Sequence, residues 1–257
     1  MLLPRLIARL DIKGPNVVKG IHFEGLRVMG KPAEMAERYA NEGAHELLYI
    51  DTVASLYGRN QLEKLIAATS ERCFIPITVG GGIKSVDDIR RMLLSGADKV
   101  TINSALLHDN GPRFLREAVD NYGSQAICVS IQAKRTGNGW ECYSECGRQR
   151  TSRSVRDWAS ESVGLGAGEI LLTSIDRDGT MKGCDLDLIS MLSELPIPIV
   201  AGGGIGTLQH VIEALSAGAD AVAIGTALHY RKLILQEVER GLTQSNLPRE
   251  TGQVRAA

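Results

Sequence analysis

Short apolar runs alternate with amphipathic stretches along almost the whole chain. Eight runs have strand character: "LIARLD" from residue 6, "ELLYID" from 46, "FIPITV" from 74, "KVTIN" from 99, "AICVSI" from 126, "EILLTS" from 169, "IPIVAG" from 197 and "AVAIG" from 221. Between them lie helix-like stretches such as "PAEMAERYANEG" (32–43) and "VDDIRRMLLSGA" (86–97). Strand and helix in alternation predict a parallel sheet, and eight such units predict its closure into a (β/α)8 barrel. An open doubly wound sheet would carry a G-x-G-x-x-G turn after its first strand. None follows residues 6–11.

The chain also repeats itself. Residues 78–108 align with 200–230 at a shift of 122 without a gap, and 12 of the 31 positions are identical, among them GGGI, GAD and an Ala-Leu pair. Generic βα resemblance does not hold three blocks in one register. The same shift brings Asp11 opposite Gln132 and Glu46 opposite Glu169, each to within one residue. The chain therefore reads as two similar half-barrels, about 1–122 and 123–245, in one domain over 1–245, followed by a polar C-terminal tail at 246–257.

Composition supports this picture. The length of 257 residues fits a single barrel, typically about 250 residues. Net charge is -1 and the pI is near 6.5, so nothing favours nucleic acid electrostatically. The start, "MLLPRLIARLDIKG", is broken by Pro4, Arg5 and Arg9 and reads as neither signal peptide nor membrane span. A cytoplasmic location is expected. Five cysteines, Cys73, Cys128, Cys142, Cys146 and Cys184, form no C-x-x-C pair. They read as reduced thiols, and no metal or cofactor is expected.

Barrel chemistry sits at the carboxyl ends of the strands. There the chain places Asp11, Asp51, Gly80 to Gly82, Asn103, Gln132, Thr173 to Asp178, Gly202 to Gly204, and Gly225 with Thr226. Two of these sets are glycine-rich and precede helices, where backbone N–H groups can meet a phosphate; close helix packing explains such glycines equally well. Related by the repeat, they place two anion sites on opposite sides of one mouth. Asp11, between them, is a candidate catalytic acid or a structural partner of Lys13 or Arg9. The long connection 14–31 is a candidate lid, with Lys19 available to a phosphate, or a plain exposed linker. At the other end of the strands stand Arg5, Glu46, Lys99 and Glu169. Two cations and two anions from four strands can close into a ring, and as a salt-bridge plug that ring would only stabilise the barrel.

These motifs resemble the cyclase subunit of imidazole glycerol phosphate synthase over nearly the full length. The resemblance rests on "LDIKGPNVVKG" (10–20), "TVGGGI" (78–83), "GADKVTIN" (96–103), "YGSQA" (122–126), "GAGEILLTSIDRDGT" (166–180) and the closing GAD and AL block. It implies a barrel that receives ammonia from a glutaminase docked on its N-terminal face. It makes Arg5, Glu46, Lys99 and Glu169 the gate of an ammonia tunnel and Asp98 a partner-interface residue. The implied substrate is a phosphoribulosyl-formimino carboxamide ribotide with a phosphate at each end. Gly82, Asn103 and Ser104 would hold one phosphate. Asp178, Gly179, Gly203 and Thr226 would lie at the other, with Gly204 and Gly225 beside them. Asp11 would be one of two acid–base aspartates, and the second corresponds to Gln132.

A primary amide neither takes up nor releases a proton near neutral pH, so Gln132 cannot do that work. Loss of such a partner typically costs about 10²–10⁴-fold in rate. Arg9 replaces a residue usually small in the family, Cys146 replaces a usual serine, and "DTVASLYGRN" (51–60) differs from the common form. These departures resemble members linked to nucleotide-sugar amidation for surface polysaccharides. Three readings stand: a cyclase with an altered acid–base pair, a barrel conducting ammonia to a sugar-amidating synthase, and a phosphosugar isomerase of the same fold. The cyclase is favoured, and the complete set of four gate charges disfavours the isomerase.

Overall fold

The computed structural model describes residues 4–53, 62–137 and 139–245. Most of the divergent 51–60 segment and the whole predicted tail lie outside those residues. Twelve strands are present among them. Eight form the barrel: β1 (Arg5–Lys13), β4 (Glu46–Asp51), β5 (Ile77–Gly80), β6 (Lys99–Ile102), β7 (Ile127–Thr136), β10 (Glu169–Ser174), β11 (Ile199–Gly202) and β12 (Ala221–Ile224). They pair in parallel in that order, and β12 returns to β1 to close the ring. The predicted (β/α)8 barrel is therefore the fold, and all eight runs read from the sequence are its strands. Among the described residues, no helix is long and apolar enough to cross a membrane.

Alternation along β1 explains how one strand serves two environments. Leu6, Ala8, Leu10 and Ile12 belong to the outer core, where Met35, Ala36 and Tyr39 of the helix Pro32–Asn41 also lie. Ile7 belongs to a separate inner cluster with Leu48, Cys128, Leu171, Val200, Ala221 and Ala223. With a side-chain period of two, Arg5, Ile7, Arg9 and Asp11 climb the interior from bottom to mouth. Burying each Ile, Leu or Val contributes about 1.5–3 kcal/mol, so an apolar band separates two charged layers.

The repeat read from the sequence returns as repeated bonds. Asp98 Oδ2 accepts from Ile77 N at 2.8 Å, and Asp220 Oδ2 accepts from Ile199 N at 2.8 Å. Ser85 caps the helix Val86–Leu94 through Asp88 N, and Thr207 caps Leu208–Ser216 through His210 N. Such caps are worth about 1 kcal/mol each. Each pair is again separated by the shift of 122.

Two hairpins were not legible. Residues 14–31 form β2 (Asn16–Ile21), which pairs antiparallel with β1, and β3 (Glu24–Gly30), which pairs antiparallel with β2. After β7 come β8 (Gly139–Ser144) and β9 (Gln149–Ser154), which extend the sheet from β7. Both follow the first strand of a half-barrel, so the repeat includes them. Their exposed faces break the apolar alternation that a sequence reading depends on.

Candidate functional site

Asp11 lies at the centre of the mouth, at the carboxyl end of β1, and is 3% exposed. Its Oδ1 accepts from Arg9 Nε at 2.8 Å and its Oδ2 from Lys19 Nζ at 2.7 Å. Lys13, the other partner considered, is exposed. Burial pushes the Asp11 carboxyl upward, but the adjacent Arg9 and Lys19 charges outweigh it and hold it well below the usual carboxylate range. Lys19 Nζ also donates to Asp178 Oδ1 at 3.0 Å and Oδ2 at 3.1 Å. Arg9 reaches past Asp11, and its Nη1 donates to Thr173 Oγ1 at 3.2 Å. The hairpin thus delivers Lys19 between two carboxylates, where it is 4% exposed.

The β2–β3 hairpin covers this centre. His22 N donates to Asp178 O at 2.9 Å, and His22 Nδ1 lies 2.8 Å from Ile175 O. Phe23, 7% exposed, has the Arg9 guanidinium carbon 5.7 Å and Lys19 Nζ 5.9 Å from its ring centroid. His22 and Phe23 both have positive φ, 53° and 63°, backbone strain that this docking sustains. The connection 14–31, a candidate lid or linker from the sequence, is a hairpin with register shifts between Val17 and Val18 and between Lys19 and Ile21, its tip fastened across the mouth.

Cavities open on either side. Gly82, Asn103 and Ser104 line one with Asp51, Thr101, Ser130 and Gln132. Asn103 Nδ2 donates to Ser130 O at 2.9 Å and Tyr143 O at 3.2 Å, and Ser104 Oγ accepts from Glu145 N at 3.0 Å. Asp51 Oδ1 accepts from Val53 N at 2.9 Å. Asp178, Gly179, Gly203, Gly204, Gly225 and Thr226 line the other with Arg9 and Lys19. Gly203 and Gly204 have φ of 89° and 98°, conformations that glycine adopts without strain. A Cβ on Gly203 would lie 2.8 Å from Ser174 O. The sequence-predicted residues thus divide into two groups flanking Asp11.

Gln132 lies at the mouth end of β7, paired in register with Thr173, and is 8% exposed. Its Oε1 has no hydrogen-bond partner among the described residues. Cys146 stands between the centre and the first cavity, with Sγ 3.2 Å from Thr52 O. Burial, aided by the Asp11 charge, pushes its thiol up to about 11.

At the opposite end the four predicted charges close into a ring. Arg5 bonds Glu46 at 2.9 Å and also Glu169, and Lys99 bonds Glu46 at 3.2 Å and Glu169 at 2.9 Å. Burial alone would lower the Lys99 pKa; Glu169 and Glu46 raise it instead. Asp98 is exposed beside this ring.

A family model described as Histidine biosynthesis protein matches residues 5–234. The chain is 55% identical over 207 residues to "Imidazole glycerol phosphate synthase subunit HisF" of Legionella pneumophila, covering 80% of this chain and 97% of that protein. It is 44% identical over 250 residues to the protein of the same name from Gluconacetobacter diazotrophicus, covering 96% of each. The chain belongs to this family. The resemblance read from the motifs is therefore the right one.

Sequence reasoning singled out Arg9 and Cys146 as departures from the family pattern and named Arg9 as a possible partner of Asp11, which the 2.8 Å bond bears out. The reach of Arg9 to Thr173 was not legible, because only the closed barrel brings β1 and β10 to opposite sides of one interior. Phe23 gave no signal, since only the hairpin brings it to the mouth. His229 was likewise missed. It lies beside Gly225, its Nδ1 is 2.7 Å from Tyr39 Oη, and burial pushes it down to about 4. Its imidazole is neutral at physiological pH.

Proposed function

We propose that the chain is the cyclase subunit of an imidazole glycerol phosphate synthase, using ammonia to convert the phosphoribulosyl-formimino carboxamide ribotide into imidazole glycerol phosphate and aminoimidazole carboxamide ribotide. The observation that carries this reading is the pair of glycine-lined cavities on either side of Asp11. A substrate with a phosphate at each end would place one in the Gly82–Asn103–Ser104 cradle and the other against Gly203, Gly204, Gly225 and Thr226. Its reacting centre would then lie over Asp11. The hairpin would open to admit it and close to exclude water, with Lys19 exchanging Asp178 for the substrate.

In this reading a glutaminase docks on the N-terminal face, near Asp98, and its ammonia enters past Arg5, Glu46, Lys99 and Glu169. The apolar layer above favours neutral ammonia over ammonium. Asp11, ionised between two cations, acts on positive charge developing in the substrate. Gln132 offers one acceptor and two donors but no proton transfer.

That replacement also supports a second reading, in which the barrel conducts ammonia to a separate synthase and leaves the chemistry to it. One assay separates the two. The purified chain is given the ribotide with excess ammonium salt, and carboxamide ribotide release is followed beside a Gln132→Asp variant. Turnover by the parent chain supports the cyclase. Turnover by the variant alone assigns the chain to the conduit reading.

A further inference from the structure

The unpartnered oxygen of Gln132 has a consequence for how nitrogen reaches the reacting centre. A buried amide oxygen left without a donor costs about 1–3 kcal/mol, and Gln132 Oε1 is buried with no partner among the described residues. Gln132 lines the cavity that Thr101 and Ser130 also line. By the period of β7, Cys128, Ser130 and Gln132 ascend the same interior wall, and Cys128 belongs to the inner apolar band.

Across the barrel the interior is occupied differently. Arg9 spans from β1 to Thr173 on β10, passing β12 and β11, and its Nη1 lies 3.8 Å from a Cβ built on Gly202. A cation therefore fills that side directly above Ile7 and Ala223. A small molecule rising through the apolar band is left the side of β5, β6 and β7, and Gln132 stands at its upper end.

We propose that Gln132 Oε1 is the terminal binding site for neutral ammonia at the barrel mouth. This rests on the reading that the barrel uses ammonia. Ammonia donates one N–H to Oε1 and keeps its unshared pair free toward an acceptor in the cavity. The amide is suited to this in a way a carboxylate is not. A carboxylate attracts ammonium, which has no unshared pair, whereas an amide carries no charge and gives up no proton at neutral pH. The surrounding charges do not favour ammonium either, because Arg9 and Lys19 balance Asp11 and Asp178, and the cavity itself is lined by one acid, Asp51, and one base, Lys84.

The test reads the side chain directly. The Gln132 side-chain NH2 cross-peak is assigned by its loss in Gln132→Met and followed by NMR in the parent chain. It is titrated with ammonium chloride at a pH where ammonia is populated, and with potassium chloride as control. A saturable shift with ammonium alone is expected, and no shift overturns the proposal. Kinetics supply a second readout where the parent turns over the ribotide. Gln132→Met should raise the KM for ammonium about tenfold, the loss of one hydrogen bond. The ribotide Kd, measured without ammonium, should stay unchanged. A raised ribotide Kd with an unchanged KM for ammonium would make Gln132 a ribotide ligand and overturn the proposal. No turnover by the parent chain would remove the cyclase reading alone, and the NMR titration would still decide the ammonia site.

Discussion

Arg9→Met tests the electrostatics of the mouth most directly. Arg9 and Asp11 are 5% and 3% exposed and joined at 2.8 Å. Burial lowers the Arg9 pKa, and the Asp11 and Asp178 charges reverse this and raise it. Methionine keeps the length of the side chain and removes the cation, leaving Asp11 with Lys19, which it shares with Asp178. Breaking a buried pair costs about 3–5 kcal/mol, and packing of the methionine returns about 1.5–3 kcal/mol. A net loss of about 2 kcal/mol at pH 7 follows, or about 4–8 °C in Tm for a chain of this size. The folded-state pKa of Asp11 lies below its unfolded value, so its contribution is full above the unfolded pKa of about 4 and disappears as pH falls through the folded pKa. Removing Arg9 raises the folded pKa. The gap between parent and variant is therefore widest at neutral pH and narrows below about pH 4. Urea midpoints at both pH values, with the slope m checked for constancy, measure this. A variant as stable as the parent at pH 7, or an equal loss at both pH values, would refute the charge argument and leave only packing.

Three further outcomes are expected. Lys99→Ala removes two ion pairs of the ring and should lower glutamine-dependent turnover, with the partner present, several-fold more than turnover on ammonium salt; equal losses would remove the tunnel reading. Gly203→Ala imposes a side chain at φ 89°, with its Cβ 2.8 Å from Ser174 O. It should cost about 1–3 kcal/mol of stability and weaken inorganic phosphate binding, both readable by calorimetry. Cys146, with its thiol pushed up to about 11 by burial, should alkylate slowly at pH 7 and faster as pH approaches that value. Rapid labelling of the folded protein at pH 7 would contradict its placement.

What could be read from the sequence follows from which interactions are local and periodic. The barrel strands were legible because they are buried on both faces and so read as short continuous apolar runs with glycine or polar breaks at their ends, as in "TVGGGI" and "IPIVAG". The ring of Arg5, Glu46, Lys99 and Glu169 was legible because four charges stood where strands begin. The β2–β3 and β8–β9 hairpins were not, since β3 and β9 present mostly exposed positions and carry no amphipathic signal. Lys19 was found as a candidate but not its partners, because Asp178 is 159 residues away and only the closed barrel and the docked hairpin bring them together. Phe23 and His229 enter the site for the same reason.

The two halves share their scaffold and differ in their chemistry. The repeat preserves what holds a half-barrel together: the Asp98 and Asp220 bonds to backbone, the Ser85 and Thr207 caps, and the glycine turns at both cavities. It does not preserve the residues that climb the interior. The first half places Arg9 and Asp11 there, and the second places Ser130 and Gln132. Symmetric aspartates would leave the mouth with more negative than positive charge around Lys19. The pair present leaves it balanced, with an anion fixed between two cations on one side and an uncharged acceptor on the other. A fixed anion stabilises developing positive charge, and an uncharged acceptor holds a neutral nucleophile. The division follows from two positions, 9 and 132; each single exchange shifts the balance by one negative charge and both together by two, so exchanging both should disturb it more than exchanging either alone. Stability and ammonium KM for Arg9→Cys, Gln132→Asp and the double variant form the cycle that measures this coupling. Strict additivity would mean that the two sides of the mouth work independently.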